Sequence, residues 1–325
     1  MNLQALPHAA SARLHRPSAL ARVHRPRRPA RAQATCSAQL VSGDCYDDII
    51  DSLARRAIAR AAAAAPPRRV VVGVAGAPGS GKSTLATAVM QRINQLQSGS
   101  TATGSSSSDT TTSISGSSAS SSTSTSSSSS SGSSSGGPFA VVLPMDGFHF
   151  YRRELDAMPD PREAHARRGA PWTFDAAKFV AAVRAVREAG GGGGAGGGGG
   201  GGVVRVPSFD HGVGDPVEDD IAIPPLPAAA VVLVEGNYVL LQEEPWRQLG
   251  DLFDESWFVD CPLDVAMDRV FRRQTAIGLA PEVSRARIAT NDRPNAELVA
   301  ACAPAATLRV PSTVPFRRGS GSSSE

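Results

Sequence analysis

An α/β fold, with a mostly parallel five-stranded sheet and helices on both faces, follows from three features of this 325-residue chain. Apolar, β-branched runs alternate with amphipathic helical stretches, and the runs lack a polar face, as strands covered on both sides must. The first run, 69–75, leads directly into Gly76-Ala77-Pro78-Gly79-Ser80-Gly81-Lys82-Ser83, which fits G-x-x-x-x-G-K-[ST] and precedes a helical stretch. That motif also holds one of only two lysines in the chain, against thirty-one arginines. A compact ammonium enters a ring of backbone N–H groups that a flat guanidinium is too wide to enter. Strand, glycine loop and helix together predict the three-layer phosphate-loop (P-loop) NTPase fold.

In chain order, an amphipathic helix is expected over about 44–65, with Tyr46, Ile49, Ile50, Leu53, Ala57 and Ile58 on one face and Pro66-Pro67 ending it. Strands are expected near 69–75, 139–144, 203–206, 230–234 and 256–260. Helices are expected near 82–96, 175–189, 243–250, 262–276 and 281–290. Asp175 caps the second of these helices and Pro262 opens the fourth. Ligands of such sheets gather at the carboxyl ends of the strands.

Composition sets several segments aside. Residues 1–43 hold seven arginines and no acidic residue, a transit-peptide composition without fixed structure; 31–36 reads as a plastid-type processing region, with a mitochondrial address as the alternative. The whole chain carries +3 and these residues +7, so the remainder is mildly acidic, about −4, and gives no reason to expect a nucleic-acid partner. Residues 97–136 are almost wholly Ser, Thr and Gly, and 190–202 are twelve glycines around Ala195. Both read as flexible loops inserted after a helix and before a strand, in a single domain spanning 44–325. The four cysteines show no metal-ligand or disulfide pattern, and no apolar run is long enough to span a membrane. Oligomeric state is not encoded in any pattern.

The loop predicts phosphate binding by Gly76, Ala77, Pro78, Gly79, Ser80, Gly81, Lys82, Ser83 and Thr84, with the Ser83 hydroxyl on Mg²⁺. Asp146 follows the second strand and could take the proton of an attacking hydroxyl; the alternative is a plain Asp-Gly turn. Glu235 follows a buried strand, where a carboxylate can hold Mg²⁺ directly or through water. Arg168, and Asp210 with His211, lie in irregular aromatic loops of the kind that carry specificity. Arg269, Arg272 and Arg273 share a helix that could close over a transferring phosphate, unless Asp268 and Arg272 merely pair along it.

With these residues in place, the chain resembles the phosphoribulokinase/uridine kinase family, which includes pantothenate kinase, and in particular its sugar or nucleoside kinases carrying Met-Asp-Gly-Phe-His. The likeness covers about 69–300 outside the two inserts. It rests on Gly76 to Ser83, Met145 to His149, Arg168 to Pro171 with Asp175, Asp210-His211, Glu235-Gly236-Asn237-Tyr238, and Asn291-Asp292 with Pro294-Asn295. Phe209 stands where the family leads one to expect tyrosine, and Gln274 where related lids often carry histidine. The resemblance implies a nucleoside-monophosphate-kinase-like fold, ATP with Mg²⁺, an aspartate base at Asp146, a metal-linked glutamate at Glu235, and a lid from Arg269 to Arg273 with Arg273 catalytic. Acceptor contacts are expected from His149, Arg168, Asp210, His211 and Tyr238. The expected activity is transfer of the γ-phosphate to a hydroxyl of a nucleoside, sugar or pantothenate-like acceptor; the alternative is a nucleotide-binding regulator without transferase activity. A GTPase is excluded, since the only other lysine, Lys178, follows Ala177 and no N-K-x-D element exists.

Overall fold

The computed structural model describes residues 38–65, 67–100, 137–189, 202–210 and 212–316. Residues 1–37 of the expected leader, most of the Ser/Thr-rich and Gly-rich inserts, and His211 lie outside them.

The elements are β1 (Gln39–Leu40), α1 (Tyr46–Ala62), β2 (Val70–Ala75), α2 (Lys82–Ser100), β3 (Ala140–Pro144), α3 (Arg152–Asp156), α4 (Pro161–Ala166), α5 (Ala176–Glu188), β4 (Val204–Asp210), β5 (Asp215–Ile223), β6 (Val231–Gly236), β7 (Glu255–Asp260), α6 (Leu263–Ala276), α7 (Pro281–Arg287), α8 (Arg293–Ala300) and β8 (Leu308–Pro311). The sheet is parallel throughout, in the order β1-β8-β7-β2-β6-β3. It has six strands where five were expected. The 203–206 run leaves it to form an antiparallel hairpin with β5, and β1 and β8 extend its edge. Because Gln39 and Leu40 pair with Leu308 and Arg309, the folded unit begins before the expected boundary at residue 43.

Period-two alternation divides the strands between two cores. Val70, Val72 and Val74 of β2, with Val231 and Leu233 of β6, pack under α1 and α2 beside Ile49, Leu53, Leu85 and Val89. Val71 and Ala75, with Val232 and Val234, face α5 and a single-turn helix at Trp246–Asp251, where Phe179, Val183, Trp246 and Leu249 are buried. Both faces are thus dry, which is why the strands carry no polar stripe. The expected helix at 243–250 is this tighter 3₁₀ turn, and the expected helix at 281–290 passes through a π-helical turn at Ile288–Asp292 into α8.

The amino-terminal edge of the sheet is pinned by arginines. Arg69, 1% exposed, donates to three carbonyls: Ala229 at 2.9 Å, Val186 at 2.7 Å and Pro224 at 2.6 Å. Asp254 accepts from Arg68, Arg187 and the Val71 N–H, and Glu255 pairs with Arg56 and Arg60. The end of α5 is fastened here, and β3 starts at this edge, so flanks of both inserts lie away from the loop after β2.

Candidate active site

The glycine loop leaves the carboxyl end of β2 and runs into α2 at Lys82. Gly79 has φ +80°, and a Cβ there would lie 2.2 Å from the Ala266 carbonyl, so the loop can press against α6 only with glycine at this position. Gly76, Ala77 and Ser80 are buried beneath the turn. Residues 79 to 84 line a cavity of about 370 Å³, closed on its other sides by Arg269, Arg273, Tyr46, Ser312, Val314 and Phe316.

Two carboxylates reach this edge on neighbouring strands. Glu235 pairs in register with Val74 of β2 on one side and with Pro144 of β3 on the other. It is 6% exposed, and its Oε2 accepts from Ser83 Oγ at 3.2 Å. Burial pushes its carboxyl above the usual carboxylate value; nearby Asp146 adds to that rise, while Lys82 and the Ser83 hydroxyl oppose it. Lys82, Ser83, Asp146 and Glu235 therefore occupy one neighbourhood, as the spacing predicts. Asp146 sits two residues past β3 in a tight turn, Met145–Phe148. Gly147 serves a close approach: a Cβ would lie 2.2 Å from the Pro207 carbonyl, so the β4–β5 hairpin packs directly over this turn.

The expected acceptor residues divide differently. His149 stacks between Phe174 and Phe209, with ring centroids 3.9 and 4.9 Å away, and its Nδ1 donates to the Asp146 carbonyl at 2.9 Å. Arg168 does not present its guanidinium to a ligand: it bonds to the carbonyls of Gly214 and Phe150 and to Asp215, fastening the hairpin to the Asp146 turn. Asp210 is likewise committed, its Oδ1 accepting from the N–H groups of Gly212 and Val213 in the hairpin turn. Tyr238 is buried, its hydroxyl donating to the Gly169 carbonyl at 2.6 Å and its ring packed on Trp246 and Phe174. Three of the four described acceptor candidates thus shape the pocket rather than offer free groups to it.

No family profile matches the chain. It is 41% identical over 155 residues to ATP-dependent kinase-like protein notR' of Aspergillus versicolor, which covers 47% of this chain and 85% of that protein. It is 32% identical over 212 residues to a Schizosaccharomyces pombe protein provisionally named uridine kinase C227.14, covering 65% of this chain and 69% of that one. The chain belongs to the phosphoribulokinase/uridine kinase family of P-loop kinases. Among solved structures, a protein of Silicibacter sp. TM1040, provisionally named a fructose transport system kinase, superposes with a TM-score of 0.56 at 25% identity over 80% of this chain and 98% of that one. YFH7 of Saccharomyces cerevisiae, at a TM-score of 0.55 and 20% identity over 82% and 96% of the two chains, shares the fold.

In this P-loop kinase the three arginines of α6 separate. Arg269 lines the cavity and braces the loop: its Nη1 reaches the carbonyls of Gly79 and Ser80 at 3.4 and 3.3 Å, and its Nη2 that of Ser312 at 3.1 Å. Arg272 pairs with Asp268 along the helix at 2.8 Å, both exposed. Arg273 lines the phosphate-loop cavity, and its side chain has no ion-pair or hydrogen-bond partner among the described residues. The residues missed from sequence are those closing the far end of the cavity. Phe316 meets Tyr46 edge-on at 4.9 Å, and the Tyr46 N–H donates to the Pro315 carbonyl at 2.8 Å. Helix α1 and the strand after α8 are remote in sequence and carry no motif, so only the β1–β8 pairing reveals their meeting.

Proposed function

We propose that the chain is an ATP- and Mg²⁺-dependent kinase that transfers the γ-phosphoryl group to a hydroxyl of a small metabolite, a nucleoside, sugar or pantothenate-like compound. The observation that carries this reading is the Ser83 to Glu235 contact of 3.2 Å, with Lys82 and Asp146 close enough to shift that carboxyl. The names of the relatives, which include kinases provisionally tied to uridine and to fructose transport, support the small-metabolite class.

The donor set fits magnesium. Ser83 and Glu235 offer hard oxygen ligands at hydrogen-bond distance, and among the described residues no cluster of three or more His, Cys, Asp or Glu side chains competes. Mg²⁺ commonly takes one or two protein oxygens and completes its shell with phosphate and water. When bound it neutralises charge on the phosphates. The chain's own groups do the rest. The loop amides and Lys82 hold the phosphates, and the base and ribose lie toward Tyr46, Val314 and Phe316 at the other end of the cavity. Asp146 accepts the proton of the attacking hydroxyl and aligns its oxygen, and Arg273 meets negative charge as it develops. His149, fixed by its two aromatic neighbours, floors the acceptor side. The test is turnover by Asp146→Asn: loss of transfer with ATP affinity kept within a few-fold supports the reading, and near-normal turnover overturns the assignment of the base. A protein that binds ATP but transfers to no acceptor is the regulator of the alternative reading. We also read the arginine-rich leader as a plastid transit peptide, which a fluorescent fusion of residues 1–43 tests.

A further inference from the structure

We propose that Arg167, held by the buried side chain of Asn291, reads an anionic group on the phosphoryl acceptor, so that the acceptor is a hydroxyl compound bearing a carboxylate or a phosphate. This rests on the kinase reading and names the acceptor class of the same site.

Two adjacent arginines precede the turn at Gly169, and the fold treats them differently. Arg168 commits both of its Nη groups, as described, to tying the hairpin to the Asp146 turn. Arg167 keeps 31% of its side chain exposed; its Nε donates to Asn291 Oδ1 at 3.3 Å, and its nearest acid, Glu163, stands 3.9 Å away on the exposed side. Its two Nη groups donate no hydrogen bond among the described residues. The forked end of the guanidinium, the part that matches a carboxylate or phosphate in two-point contact, is therefore the part left over.

Asn291 is built to hold it there. It is 1% exposed and sits in the π-helical turn between α7 and α8, a local irregularity that places a side chain where a regular helix would not. Its Nδ2 donates to the Arg168 carbonyl at 3.0 Å, and its Oδ1 accepts from both Arg167 and Asn295. One amide thus fixes the peptide and the guanidinium of the same loop. The other side of that loop is fixed by the Tyr238 hydroxyl on the Gly169 carbonyl, three residues beyond Glu235. Burial pushes that hydroxyl upward, and Arg167 and Asp146 both act on it, so Tyr238 lies within electrostatic reach of the cation and of the proposed base. A neutral acceptor would leave this half-buried cation with only the exposed Glu163 at 3.9 Å to balance its charge, and a site of that kind disfavours the analogue that lacks the matching group.

Initial-rate kinetics on the full chain with MgATP test this, using acceptors in matched pairs: glycerate against glycerol, ribose 5-phosphate against ribose, with uridine as a further neutral compound. The expected result is use of at least one anionic member with kcat/KM about a hundredfold or more above its neutral counterpart. Arg167→Gln should raise the KM for that acceptor about tenfold to a hundredfold while the KM for ATP moves less than about threefold. Arg167→Lys should recover part of the loss. Asn291→Ala should raise the same KM about tenfold, yet add nothing in the Arg167→Gln background, a non-additivity that general loosening of the fold would not produce. Preference for neutral acceptors, or an Arg167→Gln enzyme whose acceptor KM is unchanged, overturns the inference and leaves the kinase reading standing. A wild-type chain that bound no MgATP would remove both.

Discussion

The two edges of the sheet treat charge in opposite ways. At the amino-terminal edge Arg56, Arg60, Arg68, Arg69 and Arg187 are all spent on Glu255, Asp254 and main-chain carbonyls. At the carboxyl-terminal edge, among the described residues, Glu235 is buried without an arginine or lysine ion-pair partner, its carboxyl pushed upward, and the Arg273 side chain lines a cavity without a partner. A protein that can pair four arginines with two acids at one edge has no general shortage of counter-charge. The unpaired acid and arginine opposite are where sequence and stability disagree, as they do at functional sites.

Substitutions at the two edges should therefore separate activity from stability. The largest effect on turnover is expected from Asp146→Asn, a loss in kcat of about 10²- to 10⁴-fold. Its Tm should be unchanged or slightly higher, since removing one of two neighbouring acids relieves Glu235; differential scanning calorimetry beside a coupled kinase assay reads both. Glu235→Gln comes next, at about 10- to 100-fold in kcat/KM. The folded-state value of Glu235 lies above its 4.5 reference. Its protonation therefore favours the ligand-free fold below about pH 4.5, and that contribution is lost as pH rises through the raised value. A bound cation acts in the opposite sense, so thermal stabilisation by MgATP should grow as pH rises through the raised value in the wild type and flatten in Glu235→Gln. Arg269→Met, which removes the brace on the loop, should raise the KM for ATP about tenfold with kcat little changed. Arg69→Met at the other edge should leave the kinetic constants alone and lower stability by about 3 kcal/mol, or Tm by about 10 °C, because three buried carbonyls lose their donor. If Arg69→Met altered kcat as strongly as Asp146→Asn, the division between edges would be wrong.

The parallel core was legible because its strands are apolar on both faces and its loop carries a motif whose chemistry demands its residues. The β4–β5 hairpin was not. Asp215-Pro216-Val217-Glu218-Asp219-Asp220 has the composition of a loop, and it forms a strand because β4 supplies its partner and Lys178 and Arg168 neutralise Glu218 and Asp215. β1 and β8, two and four residues long, are too short for any period to show. Among the site residues, Glu235 near the end of β6 and Asp146 two residues past β3 were placed by the sheet itself. The arginines were not, since which member of Arg167-Arg168 or of Arg269 to Arg273 turns toward a ligand depends on contacts across more than a hundred residues, such as Asn291 to Arg168 and Arg269 to Gly79.

The meeting of Tyr46 with the segment 312–316 sets an order of assembly. The phosphate loop emerges from the ribosome well before the segment that supplies the last wall of its cavity. A nascent chain can therefore lay down β2, β6 and β3 long before it can enclose a purine. A change that displaces residues 312–316 would therefore be felt at the phosphate-loop cavity.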